Sequence, residues 1–380
     1  MSSSTDEVYA TRAGLAAENA RLYGGARLDR KSLNTSLIEA RKKFLAAAGR
    51  QGWAGAEGIV CALSGGGDSV ATLWLLKEFF SGRVVAAHLD HCTRGGESHR
   101  DAEFARGLCR EWGIECSVKV VDVHETRGKG ESFEMSGRRA RYEHFEETAR
   151  RYSLPFIAVG HNADDVVETQ LLNLARGTGI AGLRGIPERR GNIVRPVIDF
   201  TRAELRALLK ENGVQWRDDA TNDESDYMRN KIRNILIPWI KDNLNPGFEN
   251  VMLGLARQVS VETDERAAAA RRALEAVSFT QPPALAAWRA APLKELPDTL
   301  LCEMLRAQGA ALSLPVLSRR RTEELLSLIR RGGFWRFQWA LDVETCYSER
   351  GLGWLRRADV EKTRARGKSR GENHLPWWAG

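Results

Sequence analysis

Short apolar segments alternate with longer segments of helical period between Gly58 and Arg176. The short segments have the length of buried strands, and in the longer ones apolar residues recur as on amphipathic helices. The pattern predicts strands over Ile59–Leu63, Val84–Leu89, Cys116–Val121 and Phe156–Val159, and helices over Ser69–Phe80, Ser98–Trp112, Ser132–Tyr152 and Ala163–Arg176. We therefore expect an α/β fold with a doubly wound parallel sheet, which binds ligands at the carboxyl ends of its strands.

The pattern changes near residue 245. Before this point, Thr201 and Glu204 have the spacing of a capping box, which adds one more helix to the first domain. After it, a long helix is predicted over Val251–Val277, followed by a helix over Thr322–Arg330 and strands around Phe334–Ala340 and Glu344–Trp354. We expect an N-terminal extension over 1–56 with a helix near Leu37–Ala48, an α/β domain over 57–245, and a mainly helical second domain over 246–380 that ends in a basic tail.

Composition limits the class of protein. Of the residues in the chain, 43% are hydrophobic and 28% are charged, as in an ordinary globular protein. No apolar run is long enough to cross a bilayer. The polar segment Met1–Glu7 leads into no apolar core, so neither a secretory signal nor a transit peptide is expected, and we expect a cytoplasmic protein. Six irregularly spaced cysteines favour reduced thiols, and the net charge of +7 favours polyanions as partners. Oligomeric state is left open.

A glycine-rich loop lies between the first predicted strand and the helix after it, and consists of Ser64, Gly65, Gly66, Gly67, Asp68 and Ser69. Glycines let the backbone approach a phosphate closely, and the amides that enter a helix bind anions. A tight turn with structural caps is the alternative, but three consecutive glycines weaken a turn that has only packing to satisfy. The loop lacks the lysine of a Walker A motif and is not a dinucleotide fingerprint. We predict a phosphate loop.

Asp68 would repel a phosphate as a bare carboxylate. The arrangement makes physical sense if a divalent cation, expected to be Mg²⁺, bridges the carboxylate and the phosphate. A structural cap is the alternative for this residue.

Polar residues come after the second and fourth predicted strands. His91 and Arg94 come after the second strand and could hold a phosphate or a nucleotide base. The fourth strand leads into His161, Asp164, Asp165 and Glu168, whose carboxylates share one face of the next helix. A solvated acidic first turn would account for the two aspartates. The alternative is a site for a metal or for the ammonium groups of an amino acid.

Two basic segments each contain an aromatic residue, the combination that binds unpaired RNA. Arg138, Arg141 and Tyr142 share one helical face, and Arg229, Asn230 and Arg233 follow Tyr227 at the start of another predicted helix. Solvated basic surface is the alternative for both segments.

These motifs resemble a known family. The Ser-Gly-Gly-x-Asp-Ser string is similar to the pyrophosphate loop of the ATP pyrophosphatase, or PP-loop, superfamily. The residues after the fourth strand resemble Gly-His-x-x-Asp-Asp-x-x-Glu-Thr of the tRNA(Ile)-lysidine synthetases, and Arg-x-x-Arg-Tyr, Arg-Asn-x-Ile-Arg and the Asp219–Asn222 segment resemble the same family. The resemblance spans roughly residues 59–240. Asn162 and Val166 depart from the family pattern, where His and Gln are frequent.

The resemblance implies an ATP-dependent ligase with ATP and Mg²⁺ as cofactors. It would adenylylate a cytidine of tRNA(Ile) with a CAU anticodon and then join free L-lysine to it, with residues 246–380 binding tRNA. The phosphate loop with His91, Arg94 and His161 would bind ATP, and Asp68 would bind the metal. Asp68, Asp164, Asp165 and Glu168 would be catalytic, the last three by holding lysine or metal. Arg138, Arg141, Tyr142, Arg229, Asn230 and Arg233 would bind the tRNA or the activated base.

Two other functions remain possible from the sequence alone. A tRNA 2-thiolation enzyme of the same superfamily would need a pair of sulfur-handling cysteines, which the cysteine spacing does not offer. A catalytically silent tRNA-binding protein would not need the intact Asp68 or the carboxylate face. A GMP synthetase is not expected, because the glutamine-hydrolysing half of such an enzyme is not seen in this sequence.

Overall fold

The computed structural model describes residues 35–92, 97–122, 127–128, 131–217, 227–280 and 283–361. The described residues up to Arg257 form one compact unit, and those from Gln258 onward form a second. The first unit contains α1 (Thr35–Gln51), β1 (Gly58–Ala62), α2 (Gly67–Phe79), β2 (Arg83–Asp90), α3 (Glu97–Glu111), β3 (Glu115–Val120), α4 (Phe133–Arg151), β4 (Phe156–Ala158), α5 (Ala163–Ala175), a 3-10 turn (Ile180–Arg184), β5 (Arg189–Arg190), β6 (Ile193–Val194) and α6 (Arg202–Glu211).

Three further helical segments end the first unit. They are α7 (Tyr227–Lys231), a π-helical turn (Ile232–Leu236) and α8 (Ile237–Asn243), and the next helix, α9 (Phe248–Val277), continues into the second unit. Val167 of α5 packs with Ile232, Ile237 and Met252 in a small apolar cluster. This cluster holds the π-helical turn and α8 against α5.

The sheet of the first unit has the strand order β3-β2-β1-β4-β6-β5. All neighbouring strands pair in parallel except the edge pair of β5 and β6. Alternate residues face opposite layers: Ile59 and Cys61 belong to a core with α1, α2, α3 and α6, while Val60 belongs to a core with α4. Because both faces are covered at the centre of the sheet, β1 is apolar throughout, and the carboxyl ends of the parallel strands form one shared edge.

The first helix belongs to the core of the first unit. Phe44 and Ala48 of α1 are buried beside Trp53 and Phe79, and the Phe44 ring lies 5.3 Å from the Trp53 ring. Residues near the N-terminal boundary of the predicted α/β domain therefore help to build its larger core.

The second unit combines helices with a four-stranded antiparallel sheet of order β7-β10-β9-β8. Its elements are β7 (Ala286–Arg289), α10 (Ala290–Glu295), α11 (Asp298–Ala311), α12 (Arg319–Arg331), β8 (Trp335–Ala340), β9 (Val343–Tyr347) and β10 (Gly351–Arg356). Its core is rich in tryptophan, with Trp288, Trp339 and Trp354 buried together.

The predicted elements of the first unit are confirmed to within a few residues, including the Thr201–Glu204 capping box. The predicted strand over Glu344–Trp354 is wrong as one element, because the chain turns at Ser348–Arg350 to make two paired strands, β9 and β10. Among the helices that the structure describes, none has an apolar stretch long enough to cross a bilayer.

We predict that Phe44→Ala lowers the free energy of unfolding of the first unit by about 3–5 kcal/mol, because it leaves a cavity in a fully buried site. The matched control is Ile38→Ala on the same helix, where the side chain is 52% exposed and a change within about 0.5 kcal/mol is expected. Urea unfolding followed by circular dichroism measures both. Equal effects of the two variants would show that α1 does not belong to this core.

Candidate active site

The phosphate loop is held closed by the Ser69 hydroxyl. This oxygen accepts hydrogen bonds from the backbone amides of Ser64 at 3.1 Å and Gly65 at 3.2 Å, and donates one to the Gly66 carbonyl at 2.9 Å. Gly65 has a φ of +98°, a conformation that favours glycine. No side chain caps the start of α2 at Gly66, so its first amides are oriented to bind an anion.

Two other segments pack against the phosphate loop. A Cβ atom at Gly160, after β4, would lie only 3.0 Å from the Asp68 carbonyl oxygen, so a side chain at this position would press against the backbone of the loop. The Arg217 amide donates to the Gly65 carbonyl at 3.0 Å, and the Trp216 ring lies against Gly67. The loop is therefore packed against the residues that follow β4 and against Trp216 and Arg217.

The carboxylates that come after β4 form an acidic cluster of Asp164, Asp165 and Glu168. Asp164 Oδ2 accepts a hydrogen bond from the Arg202 backbone amide at 2.8 Å, so it caps the start of α6. Asp165 and Asn162 form a capping box at the start of α5. Two of the three carboxylates therefore have structural roles at helix ends in addition to any role in a site.

Glu168 is buried, with 1% of its side chain exposed, and three arginines surround it. Arg233 makes a two-pronged contact, with Nε 2.6 Å from Oε1 and Nη2 2.8 Å from Oε2. Arg229 Nε lies 3.0 Å from Oε2, and Arg202 Nη1 lies 3.5 Å from Oε1. The cluster is therefore neutralised by protein cations.

Arg202 also contacts Asp165 at 3.1 Å and Asp68 at 3.5 Å. Burial raises the pKa of Asp68, against the opposing effect of Arg202. Burial likewise raises the pKa of Asp165, to about 6, although Arg202 again opposes the rise. The acidic cluster and the phosphate loop are thus neighbours joined by one guanidinium.

Five further predicted ligands lie together with Arg195 in a basic cluster: His91, Arg138, Arg141, Tyr142 and His161. Arg141 Nη2 lies 3.1 Å from His91 Nε2, and the Arg138 guanidinium lies 5.0 Å from the Tyr142 ring centre. Burial, together with the charges of Arg195, Arg138, Arg229 and Arg141, lowers the pKa of His161 to about 3. Burial and Arg141 lower the pKa of His91 to about 4. Both imidazoles are therefore neutral at pH 7.

Arg195 comes directly after β6 and is 5% exposed. Its Nη1 donates to the Pro187 carbonyl at 2.7 Å, and its buried Nε has no hydrogen-bond partner among the described residues. Burial lowers the pKa of Arg195 to about 10. Within the described chain no carboxylate pairs with it, so an anionic ligand would relieve the cost of burying its charge.

Arg202 and Arg195 were not among the site residues predicted from the sequence. A signal for Arg202 was present, because an arginine in the first turn of a helix opposes the helix dipole. Arg195 could have been recognised because it is a charged residue directly after a short apolar segment, where a strand of the sheet ends. Asn230 is half-buried on α7 and its role stays a prediction. Arg94 and the Asp219–Asn222 segment lie outside the described residues.

Metal binding by protein groups alone is not supported among the described residues. They contain no group of three or more His, Cys, Asp or Glu side chains placed to hold a metal ion. Asp68 presents a single carboxylate beside the phosphate loop, which suits a Mg²⁺ ion whose other ligands are phosphate oxygens and water. The residues therefore fit a metal that arrives with a nucleotide.

Part of the chain is similar to known proteins. The family model described as the PP-loop domain matches residues 34–240. A tRNA(Ile)-lysidine synthase from Clostridium perfringens is 41% identical over 211 residues, which are 54% of this chain and 45% of that protein. Another from Chlorobaculum tepidum is 43% identical over 206 residues, 53% of this chain and 62% of that protein. The chain spans about half the length of the curated relatives it matches.

Among solved structures, the U34-tRNA thiolase NcsA from Methanococcus maripaludis aligns with a TM-score of 0.49 and 20% identity. The alignment covers 59% of this chain and 79% of that one.

We predict that Asp165 makes the protein less stable as the pH rises from about 4 to about 6. The folded protein holds this proton up to a pKa of about 6, whereas the unfolded chain releases it near the ordinary pKa of about 3.9. The contribution of Asp165 to the free energy of unfolding therefore falls by about 3 kcal/mol between about pH 4 and pH 6. Above about pH 6 this contribution no longer changes with pH.

Urea unfolding at pH 4 and pH 7 tests this for the native protein and for Asp165→Asn. The variant should lack this part of the decrease, while all other titrating groups contribute equally to both proteins. The same change in both proteins would contradict the prediction.

Proposed function

We propose that this chain, which belongs to the PP-loop domain family, joins lysine to a cytidine of tRNA(Ile), the activity that the name tRNA(Ile)-lysidine synthase gives to its relatives. One observation carries the proposal: a phosphate loop, an acidic cluster and a basic cluster meet at one edge of the sheet. They offer separate places for a triphosphate, an amine and an RNA nucleotide. A cytoplasmic location stays a prediction from the sequence.

The first step would consume ATP. The C2 oxygen of the cytidine at the first anticodon position attacks the α-phosphorus, and pyrophosphate leaves. The amides at the start of α2 stabilise charge on the phosphates, with the loop already held in place by Ser69. When bound, Mg²⁺ would supply further positive charge there, with Asp68 as its protein ligand.

The second step would consume lysine. Its ε-amine attacks C2 of the activated cytidine, a C–N bond forms, and AMP leaves with the former C2 oxygen. The acidic cluster would bind and orient the ammonium groups of lysine. Asp165, with a pKa near 6, is a suitable group to take the proton that the ε-ammonium must lose before it attacks.

The basic cluster would receive the tRNA. Arg138 and Arg141 lie in the first half of α4, and Arg195 and His161 lie close to them at the strand ends. Guanidinium groups bind phosphates and stack on bases, and Tyr142 adds an aromatic surface. Arg229 and Arg233 were predicted to contact RNA, but their contacts with Glu168 favour a role in holding the acidic cluster.

The second unit would bind another part of the tRNA. Three successive arginines, Arg319, Arg320 and Arg321, occupy the first turn of α12. Arg319 pairs with Glu323 at 2.9 Å and Arg321 lies over the Phe337 ring. Because cations in the first turn oppose the helix dipole, a bound phosphate would add to the stability of this turn.

A 2-thiolation enzyme is less well supported. All six cysteines lie in the described part of the chain and none forms a disulfide, and Cys61, Cys109 and Cys346 are buried. Cys92 is exposed just beyond β2, near the site. One accessible thiol there does not provide the cysteine pair that the alternative needs. A catalytically silent tRNA-binding protein would bind tRNA without consuming ATP, and lysine transfer in vitro would exclude it.

We predict transfer of radiolabelled lysine to an isoleucine tRNA transcript with a CAU anticodon, in the presence of ATP and Mg²⁺, and none to a methionine tRNA. Asp68→Asn should reduce the rate by at least about 100-fold, because it removes the carboxylate that holds the metal and phosphates together. The control Asp242→Asn makes the same change at an exposed position of α8. Absence of label, in an assay that detects a known lysidine synthase, would refute the proposed function.

We also predict that Arg138→Ala and Arg141→Ala weaken tRNA binding and its salt dependence. Each lost contact with a single-stranded phosphate should lower the slope of log K against log salt by about 0.7. Filter binding of labelled tRNA at several KCl concentrations measures the slope. Arg150→Ala is the control, because it lies in the last turn of α4 and its side chain is 70% exposed. Slopes equal to that of the control would count against an RNA site here.

A further inference from the structure

Arg202 lies in the site but has no role in the proposed reaction. Its guanidinium lies 3.5 Å from Asp68, 3.1 Å from Asp165 and 3.5 Å from Glu168. Its side chain is 18% exposed, so these contacts are largely shielded from water. One cation therefore shares its charge between the phosphate loop and the acidic cluster.

Among the described contacts of Glu168, those of Arg202 are the longest. Arg233 approaches it to 2.6 and 2.8 Å and Arg229 to 3.0 Å, within or near the range of strong charge-assisted hydrogen bonds. Arg202 stays at 3.5 Å from Glu168 and from Asp68. The closest acidic contact of Arg202 is with Asp165, at 3.1 Å, so Arg229 and Arg233 would keep Glu168 partly neutralised if Arg202 moved.

A triphosphate on the phosphate loop would lie beside this guanidinium. Asp68 belongs to the first turn of α2, whose amides face the anion, and Arg202 already contacts Asp68. ATP carries a charge of about −4, and about −2 with Mg²⁺, so it competes with the carboxylates for a nearby cation. The planar guanidinium can bind two phosphate oxygens at once, which favours its transfer.

Transfer would change the acidic cluster. Without Arg202, Asp165 loses its nearest cation and Glu168 loses one of three. The ammonium group of a lysine substrate is compact and has three donors, so it can replace the guanidinium between these carboxylates. The position that Arg202 leaves is thus suited to the second substrate.

We propose that Arg202 is a positioning residue that occupies the amine site in the ligand-free protein and moves to the phosphates of ATP, so that ATP binding makes the acidic cluster available to lysine. This inference rests on the proposed function, since it takes ATP and lysine as the substrates. Coupling of this kind is reciprocal, so lysine strengthens ATP binding by the same factor.

Isothermal titration with L-lysine tests the inference on the full chain, first alone and then with Mg²⁺ and α,β-methylene-ATP, which is not cleaved between the α- and β-phosphates. In the native protein we expect the analogue to tighten lysine binding by about fivefold or more. In Arg202→Gln we expect lysine to bind several-fold more tightly than to the native protein without the analogue. The analogue should then change its affinity by less than about twofold.

Two further variants complete the experiment. Arg202→Lys keeps the charge but not the planar fork, so its coupling factor should be smaller than the native one, and it serves as the test if Arg202→Gln does not fold. Lys210→Gln changes an exposed residue near the end of the same helix and should behave as the native protein does.

The results distinguish failure of the inference from failure of the proposed function. Weaker or unchanged lysine binding by Arg202→Gln, with the native coupling retained, would overturn the role of Arg202 while leaving the lysine site in place. Unchanged coupling in a folded Arg202→Lys would do the same. No lysine binding to the native protein, with or without the analogue, would overturn the inference and the proposed function together.

Discussion

The buried charge of Glu168 sets the arrangement of the site. An isolated ionised carboxylate in a protein interior costs several kcal/mol, so positive charge has to be present wherever this side chain is buried. Arg229 and Arg233 supply it from the segment after Tyr227, and Arg202 supplies it from α6. These residues are distant in sequence, and their shared partner fixes α5, α6 and α7 around one point. The candidate site is therefore also a folding constraint of the first unit.

Local patterns were sufficient to predict most of the fold. Strands such as Gly58–Ala62 are buried on both faces, which produces continuous apolar segments that are easily recognised. The start of α6 was predicted because Thr201 and Glu204 satisfy amides within four residues of each other. The turn between β9 and β10 was missed because only three polar residues, Ser348–Arg350, separate the two strands.

The parts of the site that were predicted are those whose residues lie close together in the sequence. The phosphate loop is a single short segment, and its internal hydrogen bonds join residues at most five positions apart. Arg202 and Arg195 act on partners in other elements, so their roles depend on which segments meet in space. The same reason explains Arg229 and Arg233: a basic helix gives no sequence signal that its cations face a buried carboxylate 60 residues or more away.

The π-helical turn over Ile232–Leu236 makes this segment of the protein intolerant of insertions and deletions in the sequence. Such a turn contains one residue more than regular α-helix, and it lies between Arg229 and Ile237, which packs against α5. Removing one residue here would restore regular helix and rotate everything beyond it by about 100° relative to Arg229. Exposed Ile235 and Trp239 can be exchanged without disturbing Glu168. An insertion or deletion in the same stretch, however conservative in composition, would separate the arginines from their carboxylate or the helix from its core.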